Sequence, residues 1–264
     1  MRDFAAMVRR KIQAGHGQGS GDSYVPFLSR YDASRGSFRF GEPSILCSRN
    51  HQLLGKLELG WLHIWAMCPG VVEIREQYPL FPRERTREIA TKLNLRHPRY
   101  PDNRTDLVLT TDLLVFVRRR HRLFTIACAV KPAEHLRRKP VQRTLAIERE
   151  YWRDKADKFL VLTDSMLPRR LSAVLDWLYP ALLKPFELPT EAEELAGILR
   201  KRSRETELHR ACLEADEKFN RDLGHTLEIV RHMVARRKWP VERGRASLFA
   251  LLGGVDAKGG IPIL

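Results

Sequence analysis

The clearest hydrophobic pattern in the chain is a pair of apolar runs near its middle, separated by a basic segment. Residues 111–117 alternate around β-branched and aromatic positions, and residues 124–130 form a second apolar run. Residues 118–121, three arginines and a histidine, are too polar for a core. The pattern predicts two strands joined by a basic turn.

One charged residue lies near the outer end of each predicted strand. Asp112 falls in phase with Leu114 and Phe116, and Lys131 closes the second run just before Pro132. A charge in line with apolar residues costs free energy unless it has a charged partner or a metal. This arrangement is typical of a metal-dependent nuclease, in which the carboxylate binds Mg²⁺ and the lysine acts on the attacking water or the phosphate charge. An ordinary hairpin with charged ends is the alternative.

A third unexpected charge lies upstream. Residues 51–68 carry an apolar stripe and stop before Pro69 and Gly70, so they predict an amphipathic helix. Glu58 falls inside the stripe, four residues from both Leu54 and Leu62. A carboxylate there either forms a buried ion pair or serves as a metal ligand on a rigid helix, and the pattern leaves both open.

The remaining patterns complete a two-domain organisation. Residues 2–13 predict a helix and residues 15–21, rich in glycine, a flexible arm. Further strands are predicted at 71–80 and 159–163, and further helices at 86–93 and 141–155. This order predicts an α/β domain, with a mixed sheet and flanking helices, over residues 1–166. Residues 167–264 predict a smaller, mostly helical, winged-helix-like domain for partner or DNA binding, with one short strand at 239–246.

Charge narrows the function classes. The 264 residues carry a formal net charge of +15, and the pI is about 10.1. Residues 1–165 hold 30 Lys and Arg against 18 Asp and Glu, whereas residues 166–264 hold 17 against 14. Such a balance indicates a polyanionic partner, most often nucleic acid. The four widely spaced cysteines form no zinc pattern and favour a reducing compartment, and neither a signal peptide nor a membrane span is expected.

The order and spacing of several segments resemble TnsA, the endonuclease subunit of heteromeric cut-and-paste transposases. The segments are GHGQGSGDSYVPFL (15–28), HQLLGKLEL (51–59), VVEIREQYPL (71–80), RHPRYP (96–101), VLTTDLLV (108–115), AVKPAE (129–134) and RTLAIEREYW (143–152). The resemblance implies a catalytic domain with the fold of type II restriction endonucleases, joined to a winged-helix-like domain. It also implies that Glu58, Asp112 and Lys131 are catalytic.

The resemblance further implies a ligand set for Mg²⁺, with Mn²⁺ as a possible substitute. Glu58 and Asp112 would ligate the ion, and Glu148 would be an accessory acid. Because hard cations accept carbonyl oxygens, a backbone carbonyl at Ala129 or Val130 is a further candidate ligand. Ala129 departs from the family, which often has glutamine there, so weaker metal affinity is expected. The predicted DNA contacts are basic residues of the hairpin and the first helix: Arg9, Arg10, Lys11, Arg118, Arg119, Arg120 and Arg122.

The implied function is Mg²⁺-dependent cleavage of the 5′, non-transferred strand at transposon ends. The implied partners are double-stranded DNA at those ends, a DDE-type (TnsB-like) transposase that acts on the 3′ ends, and an AAA+ (TnsC-like) ATPase regulator. The expected setting is the prokaryotic cytoplasm, close to the nucleoid. Two alternatives stay open: a free-standing restriction or repair nuclease of the same fold, and a catalytically weak DNA-binding scaffold.

Overall fold

The computed structural model describes residues 3–29, 31–32, 40–187, 189–202 and 205–239. The chain divides into two compact units, Met1–Arg169 and Arg170–Leu264. The division lies three residues beyond the predicted domain boundary at 166.

The first unit combines four helices and six strands within the described residues. The helices are α1 (Phe4–Gln13), α2 (Lys56–Met67), α3 (Arg83–Lys92) and α4 (Lys139–Trp152). The strands are β1 (Phe40–Pro43), β2 (Asn50–Leu53), β3 (Val71–Pro79), β4 (Thr110–Arg119), β5 (Arg122–Val130) and β6 (Lys158–Leu162).

The main sheet has the strand order β3-β4-β5-β6. The first two pairings are antiparallel and the β5–β6 pairing is parallel, which confirms the predicted mixed sheet. In the β4–β5 hairpin Leu113 lies opposite Cys128, and pairing continues to Arg119 and Arg122. The basic turn is therefore shorter than predicted: the backbone ladder extends past the apolar residues, and only Arg120, with a φ of 51°, and His121 remain in the turn.

Helices cover the sheet and bury its central strand. In β4, residues 111–115 are buried without interruption, a pattern typical of a strand covered on both faces. Helices α3 and α4 pack together, and their apolar residues Ile89, Ile147 and Trp152 form one core with Leu114 and Ala127 of the hairpin. Helix α2 packs against β3, β4 and β5.

Two sequence expectations were wrong in this unit, and the first concerns α2. This helix begins at Lys56 rather than at residue 51, and Gly55 precedes it in an extended conformation. His51 instead belongs to β2, where it lies opposite Glu42 of β1. Pairing with β1 overrides the helical periodicity of the sequence.

The second correction concerns the glycine-rich segment, which is folded rather than a flexible arm. The amide of Gly17 donates to the carbonyl of Val25 over 2.6 Å, and Val25 donates back to Gln18 over 3.0 Å. Gly17 has a φ of 81°, and a Cβ there would come within 2.2 Å of the ring of Pro79 on β3. Glycine is required because the backbone packs directly on the sheet.

The second unit is helical throughout its described residues. It contains α5 (Arg169–Leu182), α6 (Ala192–Arg202), α7 (Leu208–Lys218) and α8 (His225–Ala235). Its hydrophobic core includes Leu195, Cys212 and Ile229. The predicted strand at 239–246 lies outside the described residues apart from Trp239. None of the described helices in either unit combines the length and apolar character needed to cross a bilayer.

Candidate active site

Asp112 and Lys131 meet at the end of the central hairpin. Lys131 Nζ donates to Asp112 Oδ2 over 2.7 Å, and the amide of Val130 donates to the same oxygen over 2.6 Å. The amide of Lys131 donates to the carbonyl of Leu162 over 2.9 Å, just beyond the parallel β5–β6 ladder. Both strands therefore fix the backbone from which the lysine reaches the carboxylate, which is only 7% exposed.

Glu58 reaches the same site from the first turn of α2. Its Oε2 accepts from the amide of Leu54 over 2.9 Å and from Gln77 Nε2 over 3.3 Å. Burial, and next the charge of Asp112, raise the pKa of Glu58 to about 8, although Leu54 and Lys131 act in the opposite direction. At neutral pH the carboxyl group therefore carries a proton that a cation could displace.

Glu148 supplies a third carboxyl group, from the middle of α4. It is 1% exposed, and burial raises its pKa to about 8 against the opposing charge of Lys131. The hydroxyl of Thr111 donates to Glu148 Oε2 over 3.4 Å, and Trp152 Nε1 donates to that hydroxyl over 2.7 Å. The predicted accessory acid thus shares the electrostatic environment of Asp112 and Lys131.

The positive charge of Lys131 is therefore shared by three carboxyl groups. Burial alone would lower the pKa of Lys131, but the charges of Asp112, Glu148 and Glu58 outweigh it and raise the pKa above its usual range. A fully ionised cluster would carry more negative than positive charge in a desolvated place. A divalent cation would offset this excess of negative charge.

The donor set of the site fits a hard cation with few protein ligands. Among the residues the structure describes, no three His, Cys, Asp or Glu side chains are grouped so that they could hold a metal ion. Glu58 and Asp112 bring two carboxylates, and Val130 brings a backbone carbonyl at the same strand end. Ala129, fully buried opposite Asp112 in the hairpin register, offers no ligating side-chain atom. The remaining ligands of a Mg²⁺ ion would be water or phosphate oxygens, as is common for that ion.

The predicted DNA-binding residues of the hairpin lie at the opposite end of β4 from this cluster. Arg118 follows Asp112 by six residues along β4, a distance of about 20 Å at the usual rise of a strand. Arg118 and Arg120 are exposed, and neither has an ion-pair partner among the described residues. Arg122 pairs with Asp157. Arg119 is half-buried at the hairpin end.

The basic residues at the end of α1 differ in their exposure and contacts. Arg9 and Arg10 are exposed on this helix. Lys11 instead donates to Asp32 over 2.8 Å and to the carbonyl of Phe27 over 2.9 Å. Its charge is neutralised within the protein, so Lys11 is a weaker candidate for phosphate contact than its neighbours.

Sequence reasoning missed two groups next to the site. Gln77 on β3 and Thr111 on β4 hydrogen bond to Glu58 and Glu148, yet both are neutral and gave no charge signal. Three exposed cations, Arg137, Arg138 and Lys139, follow Lys131 and lead into α4. Their sequence signal was a short basic run that begins six residues after the predicted catalytic lysine.

Comparison with known proteins gives matches over both units. The family described as "TnsA-like endonuclease N terminal" matches residues 68–164, and "TnsA endonuclease C terminal" matches residues 171–242. The chain is 30% identical over 230 residues to "Transposon Tn7 transposition protein TnsA" of Escherichia coli, covering 86% of this chain and 82% of that protein. The first range contains Asp112, Lys131 and Glu148; Glu58 precedes it but lies on the helix that packs against the same strands.

Proposed function

The chain belongs to the TnsA family of transposon endonucleases, and from this premise we propose that it hydrolyses the 5′, non-transferred strand at transposon ends with Mg²⁺. The observation that carries the proposal is the convergence on one lysine of three carboxyl groups, of which two are buried and that of Glu58 is half-buried. A protein that needed only stability would be expected to match each buried carboxylate with its own cation or replace the group by an apolar residue.

Glu58, Asp112 and the Val130 carbonyl would hold the ion, and Mn²⁺ should substitute because it accepts the same oxygen ligands. When bound, the ion would supply a Lewis acid that polarises the scissile phosphate and activates the attacking water. Both carboxylates must be ionised to bind it, so binding releases the proton that burial keeps on Glu58.

The protein groups divide the remaining work. Lys131 stays protonated beside Asp112, so its ammonium group supplies positive charge to the phosphate oxygen on which negative charge builds up. Glu148 is held by Thr111, and with a pKa of about 8 it stays largely neutral at pH 7. It therefore adds little repulsion while it occupies the wall of the site.

DNA would be bound mainly through phosphates. Along the chain, Lys131 lies between the exposed cations at the hairpin tip and those at the start of α4. At about 20 Å, the hairpin tip lies within the span of roughly six base pairs from Asp112, so one duplex is long enough to reach both.

The partners follow from the same family membership. We propose that a DDE-type transposase cuts and joins the 3′ ends, that an AAA+ ATPase regulates the assembly, and that the complex acts on cytoplasmic, nucleoid-associated DNA in a prokaryote. The helical second unit is the proposed docking region for these partners.

The decisive assay is strand-specific cleavage of transposon-end DNA, with the transposase and the ATPase present and Mg²⁺ titrated. Asp112→Ala should abolish 5′ cleavage and leave 3′ processing intact. Glu150→Gln is the matched control, because Glu150 lies two residues from Glu148 on α4 but pairs with exposed Lys92 and Arg153.

The outcomes separate this proposal from its alternatives. Unchanged 5′ cutting by Asp112→Ala would mean that the site is assigned wrongly. Efficient cutting by the wild-type chain alone would indicate a free-standing nuclease. DNA binding without any Mg²⁺-dependent cutting, even with both partners, would indicate a scaffold.

A further inference from the structure

Gln77 occupies a position on β3 that the proposed chemistry does not yet use. In the β3–β4 register Glu76 lies opposite Leu113 and Tyr78 lies opposite Thr111, so Gln77 comes opposite Asp112. Its side chain is buried, at 1% exposure. A neutral amide is thus placed beside the two carboxylates of the site.

The amide is held at both of its polar ends. Its Nε2 donates to Glu58 Oε2 over 3.3 Å, and its Oε1 accepts from the hydroxyl of Thr110 over 3.2 Å. In this arrangement the N–H end of the amide is directed at Glu58 and the carbonyl end at Thr110. The amide therefore acts as a fixed donor to one oxygen of that carboxylate.

The backbone at Gln77 is in an unfavourable conformation for its residue type. Its φ is 49°, in the left-handed region that favours glycine and asparagine. A buried glutamine in this conformation persists only where its surroundings enforce it, which is common at functional sites. Local stability alone gives no reason for glutamine at this position.

The folded N-terminal segment enforces this conformation. The hydroxyl of Tyr24 donates to the carbonyl of Glu76 over 2.9 Å, and the amide of Phe27 donates to the carbonyl of Gln77 over 3.2 Å. Tyr24 and Phe27 are both buried. A chain of contacts therefore runs from the N-terminal segment through the kinked strand to Glu58.

We propose that Gln77 is the positioning residue that orients the Glu58 carboxylate toward the cation it shares with Asp112. This inference rests on the proposed function. Gln77 acts through Glu58: without its N–H group, Glu58 keeps only the Leu54 amide on that oxygen and can turn away from Asp112.

The test measures Mn²⁺ affinity of the full-length chain by the loss of the free-ion electron paramagnetic resonance signal. Gln77→Met keeps length and bulk but removes the donor, and Gln77→Asn keeps the amide and suits the left-handed backbone but is one methylene too short. Both should weaken Mn²⁺ binding about 10–100-fold, the usual effect of losing a group that orients a metal ligand. Thr86→Val, which removes a buried hydroxyl from a bond to the carbonyl of Arg83, is the control that should lower only thermal stability.

A double-mutant cycle separates positioning from a general structural effect. In a Glu58→Ala background, Gln77→Met should weaken Mn²⁺ binding by less than about twofold, because the group through which it acts is gone. The same loss in both backgrounds, or wild-type affinity in both Gln77 variants, would overturn the inference and leave the proposed function intact. If the wild-type chain binds no Mn²⁺ at all, the metal part of the proposed function fails instead.

Discussion

Two charged groups lie next to each other in the first unit, one around Glu76 and one around Lys131, and they differ in the balance of their charges. Glu76 is fully buried and pairs with Arg49 and His51, whereas Glu58, Asp112 and Glu148 share Lys131. The two groups meet on β3, where Glu76 is followed directly by Gln77, the hydrogen-bond partner of Glu58.

Every acceptor of Glu76 is matched. Arg49 donates two hydrogen bonds, of 2.7 and 3.0 Å, His51 Nδ1 lies 2.8 Å away, and the amide of Gln52 donates over 2.9 Å. Burial alone would raise the pKa of Glu76, but His51 and then Arg49 outweigh it and lower the pKa to about 2. Glu58, which is half-buried, has a pKa of about 8.

The difference teaches that a buried charge is not in itself a sign of function. What distinguishes the two groups is the balance of charge around them. We call a carboxylate matched when neighbouring donors satisfy its hydrogen bonds and charge, and undermatched when they do not. A matched carboxylate connects loops and strands, as Glu76 connects β2 and the segment before it to β3. An undermatched carboxylate keeps a capacity to bind a cation, at a cost to the stability of the free protein.

The largest expected effect is on the stability of the protein, when the charge of Glu76 is removed. Glu76→Gln would leave Arg49 as a buried cation without its partner and should lower the free energy of unfolding by about 3–5 kcal/mol. Urea denaturation of the full-length chain measures this change. Wild-type stability in this variant would contradict the structural role of Glu76.

The next effect removes the cation of the undermatched group. Lys131→Ala should reduce the rate of 5′ strand cleavage by about 10²–10³, the typical effect of losing one preorganised electrostatic group. Mn²⁺ affinity should be kept or rise, because a positive charge has left the metal site. Parallel single-turnover cleavage and Mn²⁺ titration check both halves, and a matching loss of affinity would show that the lysine supports the ligands rather than the chemistry.

The two groups should also respond to pH with opposite signs. The folded-state pKa of Glu58 lies above its unfolded value of 4.5, so stability of the metal-free protein should fall as pH rises from about 4.5 to about 8. The slope is at most about 1.4 kcal/mol per pH unit for each such group. Glu76 has a lowered pKa, so its contribution is present above about 4.5 and is lost as pH falls toward 2.

Thermal denaturation from pH 3 to pH 9 would show both slopes. Glu58→Gln should reduce the slope on the neutral side, where Glu148 still contributes, and leave the acidic side unchanged. Mg²⁺ should raise the melting temperature more at pH 8 than at pH 6, since it binds the ionised carboxylate. Equal Mg²⁺ effects at the two pH values would argue against Glu58 as a ligand.

The smallest expected effect lies at the hairpin tip, outside both groups. Arg120→Ala should lower the slope of log K against log salt for duplex DNA by about 0.9, as one phosphate contact is lost. Arg153→Ala is the control, because Arg153 is already paired with Glu150. Fluorescence anisotropy across salt concentrations measures both, and an unchanged slope in Arg120→Ala would remove the tip from the DNA surface.

Local patterns predicted much of the fold. The hairpin that places Asp112 beside Lys131 follows from alternation and a short turn, both of which are properties of contiguous sequence. The mixed sheet and its helices were predicted for the same reason. The charge pattern also marked Glu58, although its helix begins later than expected.

The remaining features depend on contacts between distant segments. Periodicity cannot show that His51 pairs with β1, nor that Gly17 packs against Pro79. It also cannot show the left-handed backbone at Gln77, which interrupts the regular alternation of β3. The orientation of Glu58 depends on this kink, so the geometry of the site was less predictable than its residues.

The central claim is that the undermatched carboxylates hold a cation and the matched one holds the fold. The most direct test measures Mn²⁺ affinity and urea stability together in the wild type, Asp112→Asn and Glu76→Gln. Asp112→Asn should bind Mn²⁺ at least about 100-fold more weakly, a loss beyond the usual effect of an outer-shell group. Glu76→Gln should be less stable but, where folded, should keep its Mn²⁺ affinity. Loss of affinity in Glu76→Gln with wild-type affinity in Asp112→Asn would contradict the central claim.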